Sequence, residues 1–242
     1  MESQINRQHI SDFYDTFNES EKSRRLNVRH YSIFHQLARL GLKRNHHVLE
    51  IGCGFGTVTS LIVSYISRGR IVGTDISRER IAFCQQLFSN HHNASFVLTD
   101  MTDFPVREQF DFIVLPDVLE HIPLESHRQL FSTMASLLKD DGTILVHIPH
   151  PLMIDYMREN NPAALQIVDQ SLRSDHLTQV ATMAGLELQY FRAYCLTNSK
   201  PDYVTLVFKK YQQYAGKSDI SPLRIQLKKL WFRLFYWRKR LL

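Results

Sequence analysis

The chain has 242 residues, 44% of them hydrophobic, a length that buries one good core and at most a small accessory layer. Its three cysteines, Cys53, Cys84 and Cys195, are odd in number and show no paired spacing, which argues against a disulfide framework or zinc cluster and for a reducing compartment. The net charge of +5 is unevenly placed: residues 217–242 carry eight Lys or Arg against one acid, a tail of +7, and the preceding 216 residues sum to −2, so no nucleic-acid surface is expected on the body.

The opening residues, MESQINRQHISDF, have neither an apolar centre nor a basic leader, and no apolar run reaches bilayer length. A cytoplasmic location is the expectation. Residues 1–45 read as a helical extension, with an aromatic turn over Ser11–Phe17 and a helix over Glu21–Leu40 stopped by Gly41. Strands are expected at His47–Gly52, Arg70–Asp75, Ser95–Leu98, Phe110–Leu115 and Thr143–Ile148, and helices at Thr57–Ser67, Arg78–Phe88 and Leu124–Leu138. This alternation implies parallel pairing through crossovers, a doubly wound α/β sheet. In the last third, Pro149 and Pro151 end the fifth strand, Pro162–Ser171 reads as an inserted helix, and His176–Ala184 as a further helix ended by Gly185. Leu186–Leu196 and Tyr203–Lys209 then read as an antiparallel hairpin across Asn198–Asp202. The organisation is 1–45, then 46–210 with an insertion at 151–174 that covers the site as a lid, then 211–242.

The first strand leads into VLEIGCGFGTVTSLI, Val48–Ile62, where Glu50 precedes Gly52, Gly54 and Gly56 at alternating positions. Glycines so spaced turn the backbone without Cβ clashes and let it approach a bound cofactor. Dinucleotide folds place G-x-G-x-x-G here; this chain instead has E-x-G-x-G-x-G with the acid on the strand. Asp75 closes the second strand nineteen residues past Gly56, where a carboxylate suits a ribose diol.

At these residues the chain resembles the class I S-adenosylmethionine-dependent methyltransferases, over about Val48–Lys210. LTDMTDFP at Leu98–Pro105 is similar to the family's adenine segment, and FDFIVLPDVLEHIP at Phe110–Pro123 to its fourth strand and active-site loop. LLKDDGTILVHIPHP at Leu137–Pro151 is similar to its helix, glycine turn and fifth strand. The resemblance implies a Rossmann-like, seven-stranded doubly wound sheet with helices on both faces and an antiparallel C-terminal hairpin strand. It implies S-adenosyl-L-methionine as cofactor, its methionine end held by Glu50 directly or through water, with Gly52, Gly54, Gly56 and Asp75 beside it. Ile76 and Met101 would flank the adenine, Asp100 would meet its exocyclic amine, and Leu115 and Pro116 would complete the contacts. Asp100 also reads as a turn residue or cap, with Asp103 as the alternative cap.

Asp117, Glu120 and His121 follow the fourth strand, where the transferred methyl should point. Much of methyl transfer from a sulfonium is proximity and alignment. A hydroxyl acceptor must also lose a proton, and His121, His147 and His150 are the candidate bases by position. D-x-x-E-H also resembles the E-x-x-E-H metal site of some methyltransferases. Asp117, Glu120 and His121 are thus alternative metal ligands, although related V-L-E-H segments occur without metal and Asp replaces the first Glu, so no metal is expected. His121 as a residue that only buttresses the loop stays open.

Phe13, Tyr14 and Phe17 are candidates to close the other side of the site. The tail helix from Ser221-Pro222 carries Leu223, Leu227, Leu230, Leu234, Trp237 and Leu241 as one apolar stripe among basic residues. Such a helix suits an anionic membrane surface, which would place the chain peripherally on the inner membrane face; docking on the body, dimerisation and a partner's groove are the alternatives. The leading expectation is methylation of a hydroxyl on a small molecule, a sugar or a lipid-linked intermediate. An N- or C-methyltransferase and a non-enzymatic membrane-tethered scaffold are the other readings. LPDVLE lacks an N-P-P-Y type motif, and the intact glycine loop disfavours the scaffold.

Overall fold

The computed structural model describes residues 26–100, 104, 108–166, 168–212 and 220–240, with side chains up to 235 in the last helix. Two compact units emerge, Met1–Lys210 and Tyr211–Leu242.

The first unit holds a seven-stranded sheet in the order β3-β2-β1-β4-β5-β7-β6. Its strands are β1 His47–Ile51, β2 Arg70–Asp75, β3 Ala94–Leu98, β4 Phe110–Pro116, β5 Leu138–Pro149, β6 Leu186–Tyr194 and β7 Tyr203–Lys210. β1 to β5 pair in parallel, and β7 runs antiparallel to both β5 and β6. The helices are α1 Val28–Arg39, α2 Thr57–Tyr65, α3 Arg78–Leu87, α4 Leu124–Leu137, α5 Pro151–Asn160 and α6 Ser174–Met183. A sheet covered on both faces needs strands that are apolar on both sides, which explains the unbroken run FIVL in β4.

Alternation along each strand sorts the side chains into two cores. Val48 of β1 and Phe112 and Val114 of β4 pack with Ile33 and Leu37 of α1, Ile62 of α2 and Ile81 of α3. Leu49, Ile51, Ile113 and Leu115 pack with Leu130, Phe131 and Met134 of α4 and Leu177 of α6. This parity decides below which residues reach the site.

Three elements differ from the sequence expectations. α1 begins at Val28 and not at Glu21, because Asn27 caps it: its side chain accepts from Arg29 N and His30 N, while His30 Nδ1 accepts from Asn27 N. Residues 21–25 and the Ser11–Phe17 turn lie outside the described residues. The inserted helix is α5, Pro151–Asn160; among the described residues of 162–171 the helical structure is a 3-10 turn at Pro162–Ala164. Pro151 is the first helical residue, and the His150 side chain caps it by accepting from Leu152 N. β5 begins at Leu138, five residues before Thr143, with a register shift against β4 between Phe110 and Phe112.

The second unit contains α7, Pro222–Arg240, whose side chains from Leu223 to Phe235 are exposed. Among the described residues no helix is long and apolar enough to cross a membrane.

His127 on α4 is fully buried; its Nε2 lies 2.9 Å from Ile122 O and its Nδ1 3.1 Å from His176 Nε2 of α6. Burial lowers its pKa to about 4, with the Ile122 carbonyl opposing and His176 adding to the drop. An unfolded chain takes up this proton near pH 6.5 and the folded one only near pH 4, so stability present above 6.5 is lost as pH falls to 4. The expected loss is about 3 kcal/mol from this group. Urea unfolding at pH 7 and pH 4 measures it, and His127→Gln should remove that part of the pH dependence.

Candidate active site

β1 lies between β2 and β4, where the chain order reverses, so the loops leaving β1 and β4 part around a crevice at the strands' carboxyl ends. Strand parity turns Glu50 with Val48 towards α2, where Glu50 is fully buried. Thr59 Oγ1 of α2 donates to Glu50 Oε2 at 2.5 Å, and Glu50 Oε1 has no hydrogen-bond partner. Burial pushes the Glu50 carboxyl up to about 8; the Thr59 hydrogen bond opposes the rise and the charge of Asp75 adds to it.

Gly52, Gly54 and Gly56 leave β1 with φ of 74°, 52° and 74°, a region that L side chains rarely enter. A Cβ on Gly52 would lie 2.5 Å from the Val118 side chain, and one on Gly56 2.5 Å from the Phe88 ring. At Gly54 nothing lies within 4 Å of that position. Two of the glycines therefore serve packing, and the middle one leaves the backbone open. Asp75 accepts from Gly54 N on Oδ2 and from Ser77 N on Oδ1, both at 2.9 Å, and Arg80 Nη1 stands 4.0 Å from Oδ2. Burial raises the Asp75 pKa against the pull of Arg80 and these backbone donors. A carboxylate has about four acceptor sites, and the backbone donors of Gly54, Ser77 and Ile76 take three of them.

Ile76, Asp100 and Pro116 line the same cavity, Asp100 from an exposed position. Leu115 does not: its side chain belongs to the opposite core, because β4 alternates and carries 112 and 114 to one face and 113 and 115 to the other. Met101 and Asp103 lie outside the described residues, as do Phe13, Tyr14 and Phe17.

Asp117 follows β4 with φ 54°, a conformation Asp tolerates better than most residues. Its N–H donates to His147 O at 2.9 Å, and its Oδ1 accepts from His147 Nδ1 at 2.5 Å. Oδ2 lies 3.2 Å from Arg29 Nε, at ion-pair distance. Burial works against the charge on Asp117, but His147 and Arg29 outweigh it and hold the carboxyl below its usual range. His147 Nε2 meets Tyr194 Oη at 2.7 Å, Tyr194 Oη meets Ser32 Oγ at 3.1 Å, and the Tyr203 ring stacks on the imidazole at 4.9 Å. His147 is fully buried and does not line the cavity, so the structure places it as a buttress and not as an exposed base. His150 is the cap of α5 and is likewise not among the lining residues.

His121 does reach the cavity, on a 3-10 turn at Leu119–His121. Its Nδ1 lies 2.6 Å from Val168 O and 3.2 Å from Asp169 Oδ1, and its Nε2 3.8 Å from Glu120 Oε1. Burial lowers the His121 pKa, with Asp169 and the Val168 carbonyl opposing. Glu120 is buried, its Oε2 has no partner, and burial followed by the charge of Asp117 pushes its pKa well above the usual value. Among the described residues no group of three or more His, Cys, Asp or Glu side chains is arranged to hold a metal ion; Asp117 is directed at His147 and Arg29.

The cavity measures about 420 Å³. Met153, Ile154 and Met157 of α5 wall it, followed by Leu165, Gln166 and Asp169, and α1 contributes Arg29, His30 and Ile33. Arg29, Thr59, Val118, Asp169 and Tyr203 were not legible as site residues. Thr59 carries a signal in retrospect, a hydroxyl one helical turn into the helix after the glycine loop; the others depend on long-range packing.

Residues 48–142 match the family described as Methyltransferase domain. A methoxy mycolic acid synthase of Mycobacterium tuberculosis is 29% identical over 114 residues, 46% of this chain and 38% of that protein. Trans-aconitate 2-methyltransferase of Escherichia coli is 30% identical over 132 residues, 52% of this chain and 50% of that protein. The chain thus spans between 38% and 50% of the length of these curated relatives. Magnesium protoporphyrin IX methyltransferase of Synechocystis PCC 6803, solved with bound SAH, superposes with a TM-score of 0.65 at 15% identity over 85% of this chain and 99% of that one. The N-methyltransferase NodS of Bradyrhizobium japonicum WM9 gives 0.60 at 20% identity over 77% and 98%.

The residues present fit the cofactor of this class. An orphaned, buried Glu50 oxygen suits a cationic amine, the open position at Gly54 admits a ligand against the backbone, and Asp75 suits a diol. The match marks residues 48–142 as a methyltransferase domain, the strand order is the one expected of the class I S-adenosylmethionine-dependent fold, and S-adenosyl-L-methionine is the cofactor that these residues fit.

Proposed function

We propose that this chain transfers a methyl group from S-adenosyl-L-methionine to a small-molecule, sugar or lipid-linked acceptor, with a hydroxyl as the receiving group. One observation carries the reading: a single cavity joins Glu50, Gly54 and Asp75 to Glu120 and His121 under residues 153–169. The names of the relatives point to unlike substrates, a mycolic acid and trans-aconitate, so the acceptor must be argued from this chain's own residues.

The cofactor supplies an activated methyl on a sulfonium. Glu50 and Asp75 would hold it, and the glycine loop would let it lie close to the backbone. His121 serves as the base. Its Nδ1–H is turned to the Val168 carbonyl, which leaves the lone pair of the neutral ring on Nε2, and its lowered pKa keeps the ring neutral at pH 7. Asp117, fixed by His147 and Arg29, holds the start of this loop in place. The apolar wall of Met153, Ile154 and Met157 excludes water.

We propose further that α7 lies on an anionic membrane surface, which makes the chain peripheral to the inner face. The helix contains no acid, and Leu223, Leu227, Leu230, Trp231, Leu234 and Phe235 are exposed along it.

Gly54→Val and Asp75→Ala should each weaken cofactor binding in calorimetry without unfolding the protein; unchanged affinity in both defeats the cofactor assignment. A cation beside Glu50 favours its ionised form, so wild-type affinity should rise with pH up to about 8 and then level, and Glu50→Gln should flatten the curve. His121→Ala should lower turnover roughly 10²–10⁴-fold at unchanged cofactor affinity, and the acid limb of the wild-type rate profile should fall below pH 6.5. Turnover that survives a chelator removes the metal alternative. The full chain should sediment with anionic vesicles at low salt and release as salt rises, each basic residue contributing about 1 kcal/mol. Leu230→Glu with Trp231→Glu should abolish sedimentation; binding that persists makes α7 something other than an inserted membrane helix.

A further inference from the structure

Four side-chain atoms of residues lining the cavity are buried without a hydrogen-bond partner: Glu50 Oε1, Glu120 Oε2, Gln166 Oε1 and Arg29 Nε. Three of them are oxygens. Glu50 is accounted for by the cofactor, and Arg29 Nε already stands 3.2 Å from Asp117 Oδ2. Glu120 and Gln166 remain, on the loop after β4 and on the covering segment. Their surroundings are acidic: Asp169 lies 3.2 Å from His121 Nδ1 on Oδ1 and accepts from Gln166 N at 2.6 Å on Oδ2, and Asp117 completes the set. Both guanidiniums at the cavity are beside carboxylates, Arg29 by Asp117 and Arg80 at 4.0 Å from Asp75.

Buried polar oxygens of this kind cost stability until something pairs with them. A group with O–H or N–H donors pairs with them. A carboxylate or phosphate brings no donor to these oxygens, and it meets the carboxylates of Asp117 and Asp169 while both cavity guanidiniums already stand beside carboxylates. Burial and Asp117 raise the Glu120 pKa, so its carboxyl can carry a proton; a hydroxyl, donor and acceptor at once, matches both of its states.

We propose that the acceptor's receiving group is a hydroxyl or an amine and never a carboxylate, and that Glu120 and Gln166 are the residues that bind it. This inference rests on the methyl-transfer reading above; it admits an amine beside the hydroxyl, excludes a carboxylate and names the residues that bind the receiving group. In the step itself, the oxygen or nitrogen lone pair forms the bond to the methyl carbon as the carbon–sulfur bond breaks. That bond's electron pair stays on sulfur, leaving a neutral thioether. The displaced O–H or N–H proton goes to His121 Nε2.

The test reads the product. The full chain is incubated with methyl-labelled S-adenosyl-L-methionine and aqueous and organic extracts of the source cells, and the labelled product is treated with mild alkali and then with hot hydriodic acid. Methyl ethers and methylamines resist the alkali and yield methyl iodide in the acid, and that is the expected outcome. Label released as methanol by alkali marks a methyl ester and overturns the inference; label that survives hydriodic acid is on carbon and overturns it as well. Glu120→Leu should lower transfer about 10- to 100-fold at unchanged cofactor affinity, the loss of one hydrogen bond to a charged or ionisable group. Wild-type transfer in that variant overturns the role of Glu120. Glu120→Gln separates the two acceptor chemistries, sparing a hydroxyl and impairing an amine that arrives as ammonium and passes its extra proton to the Glu120 carboxylate before the lone pair attacks. No label in any extract, from protein that still binds the cofactor in calorimetry, defeats the methyl-transfer reading itself and this inference with it. If the Glu120 variants do not fold, the product chemistry of the wild-type chain still decides.

Discussion

The site depends on a carboxylate placed inside the sheet's helix-covered face. Glu50 sits on the central strand with parallel neighbours on both sides, and the alternation that buries Val48 buries it too. A carboxyl in that position is destabilising on its own account. Thr59 offsets part of the cost at one oxygen, and the other is left without a partner within the protein. An apolar residue at position 50 would suit the fold better, so the acid is explained by what binds beside it. The same argument accounts for Gly54, whose missing Cβ would touch nothing in the protein.

A second buried polar assembly lies at the start of the loop after β4. Asp117, in a left-handed conformation after β4, is joined through His147 to Tyr194 and Ser32 and through its other oxygen to Arg29. These residues come from α1, β5 and β6, so one chain of polar contacts ties the helix beside the cavity to the antiparallel edge of the sheet. Buried polar networks of this kind fix geometry more than they add stability. The consequence here is that the loop carrying Glu120 and His121 leaves β4 in one direction. It is then stitched down by Gln170, which donates from its backbone to Glu120 O at 3.0 Å and from its side chain to Ile122 O at 2.5 Å.

Sequence periodicity read the fold well because the determinants are local. β2 has the expected ends, and the helices after β1, β2 and β4 begin where capping or the loop preceding them suggested. The misplacements share a cause, competition between equivalent local signals. Pro151 and Pro162 both suit a first helical turn, and the His150 cap favours the earlier one. Residues from Glu21 onward are compatible with helix, but the reciprocal bonds of Asn27 and His30 set the start at Val28. At the candidate site, spacing singled out Glu50, Gly52, Gly54 and Asp75, which line one cavity, whereas Leu115 was grouped with Pro116 by adjacency although strand parity sends them to opposite faces. His147 looked like a base because it lies near the carboxyl end of β5, beside β4. Its burial depends on Tyr194, 47 residues away in sequence, and no local pattern carries that.

The charge of the cavity and the charge of α7 are opposite in sign. Among the described residues the cavity sets six carboxyls, Glu50, Asp75, Asp100, Asp117, Glu120 and Asp169, against Arg29 and Arg80, whereas α7 is basic along its whole length. A single polyanionic substrate would suit the helix and be repelled by the cavity; a neutral metabolite would suit the cavity and gain nothing from the helix. Both are accommodated if the helix acts on location and the cavity on chemistry. A surface helix raises the local concentration of enzyme near a membrane without touching the substrate, so it places no demand on what the cavity accepts. Recognition then falls to the few polar atoms facing the bound group, and in this chain those are dominated by oxygens that accept hydrogen bonds.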